Sequence, residues 1–440
     1  MRRFTLILFT LCLVACAPRT EFTKADIGQL RDYIARSWEK TVQYNPEDDG
    51  TLLGLPCRYT VPTPSGGMFM ELYYWDTYFT IEGLIADGEI ELAKGNAEDI
   101  MAMVDRFGFM PNGTRTWYLS RSQPPFLSLM VRAVYSATGD CDWLARAYPT
   151  LEREYEYWQT KHMTPCGLNR YNGDGADQSL IDEFVVTASR RLGVDFNAMG
   201  LTRQQHDKLG YDFVAEAESG WDFNPRFDRR CGDFCPVDLN SLLYAFEVNM
   251  AEFSTILGKP SESWLEAARS RRAKMTELMF DPEQGQFFDY DFVGDRKSDV
   301  VSAAVFTALY CGVPTKKQAR GVREALQKLE FEYGLAVCEK RDYGYTYQWS
   351  YPNTWPPTTF MAVFGLDKYG FRRDARRLAA KYMDLVVSSY KATGTIWEKY
   401  DAVRGVMSEG EEYDTPEMFG WSAGAFNCLS DYYYGKQVVL

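Results

Sequence analysis

The chemistry of this chain falls to its carboxyl groups. Only two histidines are present, His162 and His206. A multi-histidine zinc site has too few ligands, and a Ser-His-Asp triad would have to recruit one of the two. Both are read as surface or structural residues. No G-x-x-x-x-G-K-S/T loop occurs, and no G-x-G-x-x-G follows an apolar strand, so no nucleotide cofactor is indicated. Acids, amides and arginines instead stand among aromatic rings in a few short stretches. These are residues 66–78, which include Phe69, Tyr73, Trp75 and Asp76; residues 111–126, with Asn112, Arg121, Ser122 and Gln123; residues 218–223, with Gly220 and Asp222; residues 348–357, with Trp349 and Trp355; and residues 398–401 and 410–421 near the end, with Glu398, Glu411, Glu412 and Trp421. Two carboxyls, one protonated and one ionised, are what cleavage of a glycosidic bond needs. Rings fill cores, and they also stack on the apolar faces of sugars.

Helices must hold these stretches in place. Ile27, Leu30, Ile34 and Trp38 recur at helical spacing. Ser261 follows a Gly-Lys-Pro break and is expected to N-cap a helix. Residues 317–328 and 373–390 also read as helix, whereas 62–68, 111–125, 220–227 and 347–357 read as loops. The whole predicts an all-α chain, a barrel of paired helices with its site at the loop end. No composition shift marks a linker among the 440 residues.

Net charge is −13, which argues against a nucleic-acid partner and disfavours an acidic substrate. A small neutral sugar meets no such objection. At the start, Met1-Arg2-Arg3 precedes an apolar run over residues 4–15 that is too short to span a bilayer. Residues 1–15 are therefore expected to be a signal peptide. Leu13-Val14-Ala15-Cys16 resembles a lipobox, so Cys16 is the expected lipidation site, 16–25 a tether and 26–440 the catalytic domain. The acyl chains would be the only link to a membrane, on the bacterial cell envelope. Eight cysteines follow Cys16, and Cys231 and Cys235 are the one close pair, a local disulfide or two free thiols.

The stretches above resemble the trehalase family. That family carries P-G-G-R-F-x-E-x-Y-x-W-D-x-Y, P-N-G-x-R, S-R-S-Q-P-P, S-G-W-D-F, P-V-D-L-N, Q-W-D-x-P-x-x-W-x-P, E-K-Y-D and a final G-E-Y before F-G-W. Counterparts occur here in the same order, including Pro236-Val237-Asp238-Leu239-Asn240. The resemblance implies an (α/α)6 toroidal barrel and inverting hydrolysis of α,α-trehalose to two glucoses without a metal; no cofactor is expected, and the chain is expected to act as a monomer. It maps the general acid to Asp222 and the general base to Glu398. It maps substrate contacts to Trp75, Asp76, Asn112, Arg121, Ser122, Gln123, Gly220 and Glu412, although Glu411 beside it could be the inward-facing acid. Phe69 falls in the first motif. Tyr73, Trp75, Trp349, Trp355 and Trp421 could be sugar platforms or barrel wall. Trp221 and Phe223 flank Asp222 in sequence, and burial against rings would favour its protonated form. Lys399 follows Glu398 and would keep a base ionised.

Several positions depart from the pattern. Met68 replaces the Arg of G-G-R-F and Ser350 the Asp of Q-W-D; Pro416-Glu417-Met418 precedes F-G-W. After Leu168-Asn169-Arg170-Tyr171, no R-P-E-S segment follows and residues 172–179 hold no Arg. An Arg makes charge-assisted contacts that Met cannot make, so weaker binding of the sugar is expected, and tighter binding if Arg is restored at 68. Three readings follow: a trehalase, a same-fold exo-acting glycosidase for another α-linked sugar, or a surface sugar-binding lipoprotein that has lost turnover.

Overall fold

The computed structural model describes residues 21–64, 67–409, 414–436 and 438. Cys16, Glu411, Glu412 and the expected signal peptide lie outside the described residues. Among the described residues there are fifteen α-helices: α1 Lys24–Thr41, α2 Tyr74–Ala86, α3 Ile90–Phe107, α4 Leu127–Thr138, α5 Cys141–Lys161, α6 Gln178–Leu192, α7 Arg203–Glu218, α8 Val237–Ile256, α9 Glu262–Leu278, α10 Ala304–Cys311, α11 Lys316–Arg323, α12 Leu326–Leu329, α13 Pro356–Lys368, α14 Arg372–Thr393 and α15 Gly420–Tyr433. Among the described residues every strand is two residues long, and they form three two-stranded sheets and one of three strands. No described helix is long and apolar enough to cross a membrane.

The helices form an (α/α)6 barrel. Around the inner ring α2 packs on α4, α4 on α8, α8 on α10, α10 on α13, α13 on α15, and α15 returns to α2. Outside stand α1, α3, α5, α9, α11 and α14. The two rings differ in sequence character for a physical reason. An inner helix is covered on every side, so it carries little polar face: every residue of α2 from Tyr74 to Leu84 is buried, and every residue of α10. An outer helix buries one stripe; α1 buries Ile27, Leu30, Ile34 and Trp38. A capping box between Thr23 and Asp26 starts α1 at Lys24, inside the expected tether. Inner helices approach closely where side chains vanish: a Cβ on Gly83 of α2 would lie 2.4 Å from Cα of Gly424 on α15.

Two local expectations need correction. Ser261 precedes α9 but makes no side-chain cap, its backbone already being helical. The helix expected over 317–328 is two, because the chain turns at Glu324 and Ala325 between α11 and α12. Separately, α6 and α7 pack chiefly on each other, a hairpin added to the two rings. It has its own small core of Val185, Ala188, Leu192, Phe196, Phe213, Phe223 and Tyr347.

Candidate active site

One cavity of about 630 Å³ opens where the chain enters the inner ring, a size usual for small-molecule sites. Its wall comes from the segments that lead into inner helices. Phe69, Tyr73, Trp75 and Asp76 come from the entry to α2, Asn112, Arg121 and Gln123 from the entry to α4, and Gly220 and Asp222 from the passage from α7 to α8. Gln348, Trp349 and Trp355 come from the entry to α13, and Glu398, Phe419 and Trp421 from the entry to α15. Residues separated by more than 300 positions thus share one wall.

Tryptophans make the floor. Trp349 stacks on Trp355 with centroids 3.7 Å apart and planes 7° apart, and on Trp221 at 5.3 Å. Trp75 and Trp421 meet this stack edge-on or tilted. Tyr73, Trp75, Trp349, Trp355 and Trp421 are therefore barrel wall and cavity surface at once. Gly220 shows why a side chain is excluded there: φ is +75°, and a Cβ would lie 3.0 Å from the Trp75 ring.

The two carboxyls singled out from sequence line this cavity in unlike settings. Glu398 is almost wholly buried. Its Oε2 accepts a 2.7 Å hydrogen bond from Nζ of Lys399, itself wholly buried and set 5.1 Å from the centre of the Trp355 ring. Trp421 Nε1–H donates to the Glu398 carbonyl at 2.8 Å. Asp222 is not enclosed by rings, contrary to the expectation from its neighbours. Phe223 turns into the hairpin core and Trp221 into the floor, so the carboxyl projects into the cavity, 30% exposed, where Arg191 of α6 donates to its Oδ2.

Around them the polar wall is fixed. Asp76 lies beside Glu398, and burial above all, with the Glu398 charge adding, pushes its carboxyl up to about 8. That favours its protonated form, which can donate to a hydroxyl. Gln123 accepts from the Trp75 N–H at 3.1 Å. Asn112 donates to the Ser122 carbonyl at 3.0 Å. Arg121 lies between the Tyr118 and Phe184 rings, and its buried Nε–H finds no acceptor among the described residues. Ser122 does not line the cavity. It is wholly buried behind the wall, donating its N–H to Glu218 Oε1 at 2.9 Å and its hydroxyl to the Met110 carbonyl at 2.7 Å. Glu218 also accepts from the Asn172 N–H, and His162 Nε2 lies 3.0 Å from both its oxygens. That makes His162 structural.

Sequence reasoning missed part of the wall. Leu180, Glu183, Phe184, Thr187, Arg190 and Arg191 of α6, with Trp117 and Tyr118, complete the cavity. No Arg stands in 172–179, yet α6 brings two guanidinium groups in from 190 and 191. The helical spacing of 183, 187 and 190/191 was the available signal. Met68 is 40% exposed and neither it nor Ser350 lines the cavity. Asp238 of the P-V-D-L-N motif is structural. With Asp289 it holds the fully buried Arg226 in paired hydrogen bonds of 2.6–3.1 Å, and that guanidinium lies 4.6 Å from the Trp221 ring centre.

A family model described as Trehalase matches residues 16–433. The chain is 31% identical to a periplasmic trehalase of Xanthomonas axonopodis pv. citri, over 92% of this chain and 74% of that one. It is 32% identical to the cytosolic neutral trehalase of Saccharomyces cerevisiae, over 86% of this chain but 57% of the longer yeast protein. The solved structure of that yeast neutral trehalase superposes with a TM-score of 0.73 at 30% identity, covering 91% of this chain and 80% of that one. A mannosylglycerate hydrolase from Thermus thermophilus shares the fold at 18% identity, TM-score 0.64, covering 90% and 99% of the two chains.

Proposed function

The chain belongs to the trehalase family of glycoside hydrolases, and we propose that it hydrolyses α,α-trehalose to two glucoses with inversion, Asp222 acting as general acid and Glu398 as general base. The observation that carries this is the cavity in which both carboxyls, brought from distant stretches of chain, meet a tryptophan floor and a ring of hydrogen-bonding groups.

In the proposed reaction, Asp222 gives its proton to the oxygen linking the sugars. Glu398 takes a proton from a water that attacks the anomeric carbon from the opposite face. Inversion calls for room for that water, with the carboxyls roughly 6.5–9.5 Å apart. The buried Lys399 fixes Glu398 in position. Trp75, Trp349, Tyr73 and Phe69 offer apolar surface to the sugar faces. Asp76, Asn112, Arg121 and Gln123 offer donors and acceptors to hydroxyls, and Gly220 gives them space. Glu412 is proposed as a further contact on the strength of the motif alone. The lipobox-like Leu13-Val14-Ala15-Cys16 supports a signal-directed enzyme lipid-anchored at Cys16, and the periplasmic relatives support a place on the bacterial envelope, with residues 26–440 as the catalytic domain, acting as a monomer.

The test is incubation of the protein with a panel of α-linked disaccharides, following anomers by NMR. The proposal expects one α- and one β-glucose in the first minutes from trehalose. Product from a different sugar alone would select a same-fold glycosidase. Binding of sugar without product would select a receptor.

A further inference from the structure

We infer that Cys166 and Cys235 are a disulfide-forming pair that staples the base of the segment bearing Asp222. Sequence spacing points to Cys231 and Cys235, but Cys235 lies against Cys166, 69 positions away, with sulfurs 3.7 Å apart. Thr164 Oγ1 sits 3.1 Å from the Cys166 sulfur and 3.6 Å from that of Cys235. Cys166 is partly exposed in the loop after α5, and Cys235 is buried immediately before α8. Cys231 is buried elsewhere, in the cluster of Trp158, Tyr171 and Phe234.

What lies between the two positions gives the pair its consequence. The excursion between them, residues 167–234, contains α6, α7 and the loop of Gly220 and Asp222. The α6–α7 hairpin packs chiefly on itself and has its own small core, so the barrel holds it less firmly than it holds its own helices. Yet α6 supplies a wall of the cavity. A covalent bond at the base would restrain this excursion in the unfolded and locally opened states.

The local chemistry suits bond formation. The neighbouring Cys235 thiol, with Thr164 and the Leu168 backbone, brings the Cys166 thiol down to about 6. Cys166 is partly open to solvent, and as a thiolate it can attack a small-molecule disulfide. That attack forms a mixed disulfide and releases one thiolate. Cys235 then displaces the second thiol from the Cys166 sulfur, its proton leaving with the released thiolate. The net change oxidises two protein thiols and reduces one external disulfide to two thiols.

The full-length protein is incubated with oxidised glutathione at pH 7.5, free thiols are alkylated, and peptides are mapped by mass spectrometry without reduction. A cross-linked pair joining 166 and 235 is expected. Reduction should lower the Tm of the oxidised protein by about 5 °C, as expected for closing a loop of this length in a chain of this size. Cys166→Ser should remove that reductant-sensitive shift. Alkylation of both thiols after oxidation, a bond to Cys231 instead, or a shift that survives in Cys166→Ser would each overturn the inference.

Discussion

Glu398→Gln and Asp222→Asn should be equally inactive and unequally stable. Each removes a proposed proton-transfer group, and such groups contribute about 10²–10⁴ in rate. The stability difference follows from burial. The Glu398 and Lys399 side chains are 3% and 0% exposed and joined at 2.7 Å. Replacing the carboxylate leaves an ammonium in the interior facing a neutral amide. Breaking a buried pair costs about 3–5 kcal/mol, and the low end applies because the amide oxygen still accepts one hydrogen bond. Asp222 and Arg191 are 30% and 22% exposed, so water compensates and the loss should be about 0–1 kcal/mol. Glucose release and guanidinium unfolding midpoints on the same preparations separate the two effects. The double variant Glu398→Gln/Lys399→Met should recover stability but not activity, because it removes the buried ammonium along with the carboxylate that faces it. Wild-type stability in Glu398→Gln, or greater loss in Asp222→Asn, would refute the electrostatic account of this wall.

Arg226→Met should lower stability by about 5 kcal/mol or prevent folding, since it leaves Asp238 and Asp289 buried without their shared cation; soluble yield and Tm report it. Trp117 is 50% exposed on the cavity rim, with the Arg115 guanidinium over its ring at 5.2 Å. Trp117→Ala should raise KM for the disaccharide about tenfold with little change in kcat, as loss of one stacked ring would, and should leave kcat/KM for α-glucosyl fluoride unchanged. Burial pushes Glu82 of α2 up to about 8 from 4.5. The fold keeps a proton there that the unfolded chain releases, so its stability contribution is whole below pH 4.5 and declines as pH rises through 8, at most about 1.4 kcal/mol per pH unit. Tm should fall between pH 5 and 8.5, and less steeply in Glu82→Gln. Met68→Arg should leave KM within about threefold, because Met68 is exposed and does not line the cavity; a tenfold fall would show that the segment reorients on binding.

Among the outer helices, α1 was legible in the spacing of its apolar residues because it buries one stripe, and α9 was signalled by the Gly-Lys-Pro break before it rather than by periodicity. The inner ring was not. In α2 and α13 nearly every position is buried, and periodicity vanishes when no face meets water. The cavity loops were legible for the opposite reason, since acids, amides and glycines among rings have no use in a plain barrel wall. What failed was inference from sequence neighbours. Trp221 and Phe223 bracket Asp222 in the chain yet turn to two different cores, so adjacency said nothing of the carboxyl's surroundings. At Glu398 the adjacent Lys399 does make contact, but only because both side chains are confined to one buried wall.

The α6 helix shows the deeper reason that departures from a motif mislead. Glu183, Thr187, Arg190 and Arg191 form a polar stripe that reads as a solvated face of an ordinary amphipathic helix. The stripe faces a cavity only because α6 packs on α7 at the mouth of the barrel, which no local pattern encodes. A guanidinium acts through where its nitrogen atoms lie, and a long, flexible stem lets several backbone positions deliver it to one place. Loss of Arg at 68 and from 172–179 therefore leaves the cavity with three guanidinium groups, from Arg121, Arg190 and Arg191. Carboxyls that exchange protons with a substrate have short stems and strict distance demands. The proposed acid and base should consequently be legible as motifs, whereas the guanidinium groups that line the cavity are free to move along the chain.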